Sequence, residues 1–366
     1  MNKDWHDKLV GFGASADTEG VISFANESGV SRTQVVGQTQ DDVPLLVDLS
    51  PLAVVDITGP DAKTFLQAQV CNDLASLSEN EVQINGYCTP KGRLLAVFTV
   101  FSHEDGYRVL LPDGVAQAFV KRLQMFVMRA QVKISICTEL ICSGLIFDSV
   151  SGAEAVQFPA DTPSLPAIEL QVSNNQQMQI MRWHDMPSAT SCETENQLRR
   201  PRYICIAEQN AMSRLWEIDS FRHKSYPHWR WADINAGIPN VYTTSTEKFI
   251  PQMLNMHLIN AMSFKKGCYP GQEIVARMQY LGKLKKHMKL IRVPGASDAP
   301  APGEVLTTDS NSNAGQVVDA VVDEAGLNLL AVVNIDTQIN ELRLGNLSFV
   351  EAQLPYSLVV DDSQAS

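Results

Sequence analysis

The chain has 366 residues, 45% of them apolar and 19% charged. This excludes wholesale disorder and exceeds what one ordinary core holds, so two or three domains are expected. Against 41 Asp and Glu stand 29 Lys and Arg, a net charge of −12, so nonspecific coating of nucleic acid or anionic membrane is excluded and an anionic partner needs a local basic patch.

The longest apolar run, around Leu94–Phe98, is far too short for a bilayer span. Acids at Asp4, Asp7, Asp17 and Glu19 leave no signal-peptide core, so the expectation is a cytoplasmic protein with no membrane partner. Residues 1–44, rich in Ser, Gly, Thr and Gln, read as an N-terminal extension with little core of its own. Leu52–Ile57 then reads as a strand, and Gly59-Pro60-Asp61 opens a helix striped by Ala62, Phe65, Leu66 and Val70. Thr89-Pro90-Lys91-Gly92 has proline second and glycine fourth, as a turn requires, and joins strands Val82–Cys88 and Arg93–Phe101. A strand Tyr107–Leu111, a helix from Pro112 to Met128 and a strand from Ala130 to Cys137 follow.

Antiparallel hairpins interleaved with helices predict an α+β fold rather than a doubly wound parallel sheet, and no dinucleotide or P-loop glycine motif is present. Residues 151–202, with prolines at 159, 163, 166, 187 and 201, suit loops and short strands. Pro300-Ala301-Pro302-Gly303 is a turn-rich linker. Short β runs at Gly315–Val322, Leu329–Ile335 and Leu344–Val350 predict a small all-β terminal domain of barrel type. The expected division is 1–44, 45–293 and 294–366.

Seven cysteines without a CxxC pair argue against a disulfide framework or a metal site. Cys268 stands apart. It precedes Tyr269-Pro270-Gly271-Gln272, a turn with glycine third, and a short helix carrying Ile274, Met278 and Leu281 and ended by Gly282. A helix N-terminus and two neighbouring lysines favour a reactive thiolate; a packed turn residue is the alternative reading. Residues 265–292 hold Lys265, Lys266, Arg277, Lys283, Lys285, Lys286, Lys289 and Arg292 against Glu273 alone. Such a run is either a solvated face or, abutting the cysteine turn, a site for a carboxylate or phosphate. In Tyr226-Pro227-His228-Trp229-Arg230-Trp231, an indole beside arginine is either core or a stacking platform for a flat heteroaromatic ligand.

The stretch Met262 to Glu273, with Lys266-Gly267-Cys268-Tyr269-Pro270-Gly271-Gln272-Glu273 at its heart, resembles the signature of the YgfZ family of folate-binding, tRNA-modifying proteins. Ile57–Asp61, Ile234–Pro239, Phe249–Gln252 and Leu354–Leu358 extend the resemblance from about Leu45 to Leu358. It implies aminomethyltransferase-like folate-binding domains with mainly antiparallel sheets around a central opening, plus a small C-terminal β-barrel. It also implies tetrahydrofolate or a one-carbon derivative as cofactor, and support of iron–sulfur enzymes that thiolate tRNA as the role. By position Cys268 is the functional thiol and Trp229 the folate-stacking indole, while Lys266, Gly267, Gln272 and Glu273 shape and charge the loop. Asn235 stands where related proteins commonly carry a glutamate on the pterin edge, and Leu52 where some carry a second aromatic. The aminomethyltransferases' aspartate pair is replaced by Ala96-Val97, which disfavours aminomethyl transfer. The leading expectation is therefore a folate-binding accessory protein. One-carbon transfer to an unknown acceptor is the enzymatic alternative, and direct tRNA binding through 265–292 a third.

Overall fold

The computed structural model of the chain describes residues 3–17, 21–24, 43–187, 200–280, 284–343 and 347–358. In chain order the elements are α1 (Lys3–Gly11), β1 (Ala14–Ala16), β2 (Ile22–Phe24), β3 (Leu45–Asp48), β4 (Leu52–Thr58), α2 (Ala62–Gln67), β5 (Val82–Cys88), β6 (Leu94–His103), β7 (Gly106–Pro112) and α3 (Asp113–Val127). There follow β8 (Lys133–Cys137), β9 (Leu140–Ile146), α4 (Val150–Ala155), β10 (Val172–Asn174), β11 (Met178–Arg182), β12 (Arg202–Glu208) and α5 (Gln209–Trp216). The chain continues with β13 (Arg222–Lys224), α6 (Tyr226–Asn235), α7 (Gln272–Tyr280), β14 (Lys286–Pro294), β15 (Val305–Leu306), β16 (Gly315–Asp323), β17 (Gly326–Asn334) and β18 (Val350–Ala352).

Besides the two-stranded β1-β2 sheet, three larger, mainly antiparallel sheets result, in the orders β5-β6-β7-β4-β8, β10-β11-β12-β9-β3-β13 and β15-β16-β17-β14-β18. Side chains alternate across a strand, so each sheet has an inner and an outer face. In the first sheet Val54, Val97 and Leu110 point to a central core, while Val55, Phe98 and Val109 pack against α2 and α3. In the second, Val47, Cys142 and Ile204 face the same centre and Leu46, Leu145 and Cys205 face outward. The terminal sheet repeats this with Leu290 and Leu330 inside and Ile291 and Leu329 outside. Burial on both faces explains why these strands read as continuous apolar runs.

The expected α+β class with mainly antiparallel sheets is what the chain adopts, and the expected small terminal barrel takes the form of a curled half-barrel sheet. Two expectations change. The first 44 residues do carry core: Trp5 and Leu9 of α1 and Phe24 of β2 are buried, with Trp5 edge-on to Trp216 at 5.8 Å. An indole and a leucine four residues apart on one helix face suffice to dock it, whatever the polarity between. The basic run at 286–292 is a strand, β14, and lies between β17 and β18 in the terminal sheet. Its lysines obscured the inward Met288 and Leu290. The predicted helix end at Leu281 and Gly282, Lys283, and the start of the predicted strand at 344–346 lie outside the described residues.

Candidate functional site

The cysteine loop forms as its turn chemistry dictates. Gly271 takes φ of +86°, and the Gln272 amide donates to the Tyr269 carbonyl at 3.2 Å. A methyl group on Gly271 would meet the Thr89 carbonyl oxygen at 2.4 Å and Gly92 Cα at 2.7 Å. The loop is therefore pressed, backbone to backbone, on the 89–92 turn between β5 and β6, and glycine is the residue that allows it. Lys266 turns inward, only 7% exposed, and its ammonium donates to the carbonyls of Gln67 at 2.6 Å, Val70 at 2.5 Å and Asn72 at 3.0 Å. Burial pulls that ammonium down to about 8, so it remains largely charged at neutral pH. Tyr269 is buried beneath Lys266, and Gln272 Nε2 donates to the Lys266 carbonyl at 3.3 Å.

What this leaves outside is Gly267, Cys268 and Glu273, all exposed, with open space around the Cα of Gly267. Among the six described cysteines only Cys268 is exposed. Burial pushes the Cys71, Cys137 and Cys142 thiols up to about 12, so they stay protonated and inert.

Trp229, 2% exposed, lies on α6 with the Arg202 guanidinium 5.0 Å over its ring. It borders a narrow cleft of about 40 Å³ between the first two sheets, with Leu52, Ile84, Val97, Trp183 and Tyr226 among its apolar walls. Among the described residues Asp233 is the one charged group in the lining. Its Oδ1 accepts from Trp183 Nε1 at 2.9 Å and from Arg202 Nη1 at 2.8 Å, and Oδ2 takes no hydrogen bond among the described residues. Burial raises the carboxyl of Asp233 and lowers the guanidinium of Arg202, each opposed by the other.

The predicted site residues thus fall in three places. Trp229 and Leu52 share the cleft. Lys266, Gly267, Cys268, Gln272 and Glu273 share the loop. Asn235 lines neither; it faces a second cavity, where its Oδ1 accepts from Arg292. Gly92, where the loop docks, lies two residues before β6, and Val97 of that strand stands in the cleft wall, so the extended chain between them spans at most about 16 Å. The basic run disperses too: Lys266 is buried, Lys289 pairs with Glu351 at 3.1 Å, and Arg292 bonds amides. Asp233 escaped the sequence reading although its spacing from Trp229, four residues on a helix, placed both on one face.

Three sheets around one centre, with a helix lending an indole and a carboxylate to the cleft between two of them, define an aminomethyltransferase-like fold. Over 95% of its length the chain superposes on the crystal structure of glycine cleavage system aminomethyltransferase T from Bartonella henselae, with a TM-score of 0.71 at 13% identity and 96% of that chain covered. No protein-family model matches the chain. It is a relative of the tRNA-modifying protein YgfZ of Colwellia psychrerythraea, 27% identical over 86% of this chain and 94% of that one. It is likewise similar to YgfZ of Cronobacter sakazakii, 28% identical over 86% and 93%, and of Aliivibrio fischeri, 26% identical over 85% and 92%. Among the described residues no helix is long and apolar enough to cross a membrane.

Proposed function

We propose that this protein supports tRNA modification, as a folate-binding accessory of the iron–sulfur enzymes that thiolate tRNA, with Cys268 as its working thiol. One observation carries the reading: the buried residues of the cysteine loop, Lys266 and Tyr269, are spent on holding its shape, and Cys268 is the one described cysteine offered to solvent. Such a loop is built to present a nucleophile or ligand to a partner. One cysteine cannot hold an iron–sulfur cluster by itself, so the partner brings the remaining ligands.

The lining of the cleft suits the ring of a reduced folate, which the cleft must widen to admit. Its walls are apolar and aromatic, and the free Oδ2 of Asp233 offers an acceptor for the amino edge of a pterin. Tetrahydrofolate there would bring a one-carbon carrier; Trp229 and Leu52 would pack its ring and Asp233 would orient it. One-carbon transfer is less favoured, because Val97 stands in the cleft wall and the one carboxylate is already engaged by Arg202 and Trp183. The dispersal of the 265–292 charges favours an indirect link to tRNA.

In a strain lacking the protein, wild type should restore tRNA thiolation and Cys268→Ala should not; full rescue by the variant sinks the thiol-centred reading. Calorimetry of the purified chain with tetrahydrofolate and its methylene derivative tests the ligand separately. Binding weakened at least tenfold in Trp229→Phe is expected, and absence of binding to wild type removes folate from the account.

A further inference from the structure

α6 carries two aromatic–polar pairs at four-residue spacing, Trp229 with Asp233 and Trp231 with Asn235, and the two pairs serve different cavities. The second cavity, about 370 Å³, lies between α6 and the terminal sheet, and shares no lining residue with the first. Arg292 of β14 projects into it. Its Nη1 donates to Asn328 Oδ1 and its Nη2 to Asn235 Oδ1. Both acceptors are neutral amides, and Arg292 forms no ion pair among the described residues.

The other charges of the cavity are Arg200 and Asp323. Arg200 pairs with Asp148. Asp323 accepts from Trp231 Nε1 at 3.0 Å and from the amides of Ala325 and Gly326 at 2.9 and 3.1 Å. A guanidinium has five N–H donors, so Arg292 retains three beyond those given to the amides. Arg292 is thus a partly buried cation at the wall of a cavity, hydrogen-bonded only to neutral partners and balanced only through space by the Asp323 carboxylate. Desolvation lowers its pKa, and the Asp323 carboxylate opposes that shift.

We propose that this cavity is a binding site for a small-molecule oxyanion, carboxylate or phosphate, with Arg292 as its counter-charge and Asn235 and Asn328 as the amides that aim it. A planar guanidinium with spare parallel N–H groups suits either anion in a bidentate contact. The site stands apart from the folate reading, since it uses the opposite face of α6.

The test is calorimetry of the full chain with inorganic phosphate and with succinate, at ionic strength held constant by chloride. At least one of them should bind at a single site, and Arg292→Gln should weaken it at least tenfold. Asn328→Asp leaves Arg292 in place but gives it a carboxylate of its own; it should abolish anion binding and raise the thermal midpoint. Phosphate alone binding assigns a phosphate-bearing ligand, succinate alone a carboxylate-bearing one. If neither binds, or either variant binds as wild type does, the proposal is overturned.

Discussion

Lys266 and Cys268 are two residues apart and have opposite fates, one inside bonding carbonyls and one outside bonding nothing in the described chain. Lys266→Met should therefore cost about 3 kcal/mol, because three carbonyls lose a charged donor. Cys268→Ala should change stability by less than about 0.5 kcal/mol, as exposed sites do. Urea unfolding of both variants checks the pair; a large loss in Cys268→Ala would make the thiol a packing residue. Gly271→Ala is expected to cost about 2 kcal/mol or more, since a side chain at φ of +86° also strikes the 89–92 turn. The turn around Gly271 was legible in the sequence because Pro-Gly chemistry is local. The inward course of Lys266 was not, since its acceptors lie almost 200 positions away.

At the scale of the element, α6 is a helix between two cavities rather than a helix with one wet face. Its sequence, Tyr-Pro-His-Trp-Arg-Trp-Ala-Asp-Ile-Asn, has no single apolar stripe, which is why core and platform both stood as readings of its aromatic residues. Trp229 is both, buried under Arg202 and bordering the cleft. Asp233→Asn should destabilise by about 3 kcal/mol or more, because Arg202 is fully buried and would lose its carboxylate. Asp233→Glu should recover part of that loss if the charge matters more than the exact reach. Thermal unfolding of the two variants separates the cases, and an unchanged midpoint in Asp233→Asn would show the pair to be dispensable. β14 failed to read as a strand for a related reason: Lys286, Lys289 and Arg292 recur every third residue and mask the alternation of Met288 and Leu290.

For the whole molecule, acid is the expected weakness. Burial lowers His257 to about 4, with the nearby His287 adding to the effect, and His103, His223 and His287 are lowered as well. Between pH 6.5 and 4 the unfolded chain takes up a proton at His257 that the folded chain refuses, so stability falls as pH falls through that window. From pH 7 to 5 this one group accounts for about 2 kcal/mol. Urea unfolding at both values should show that extra loss in wild type relative to His257→Gln; equal losses would refute the assignment. The α+β class was legible because hairpin turns and strand runs are local. The meeting of three sheets on one centre was not, because it depends on contacts between distant parts of the chain. The docking of the cysteine loop on the 89–92 turn is such a contact, and it carries a consequence for biogenesis. The ribosome releases the receiving hairpin long before the segment that lands on it, so the sulfur is displayed in working form only after both parts have emerged and the first sheet has closed. Half-made or miscarried chains are thereby kept from offering a competent thiol to a client.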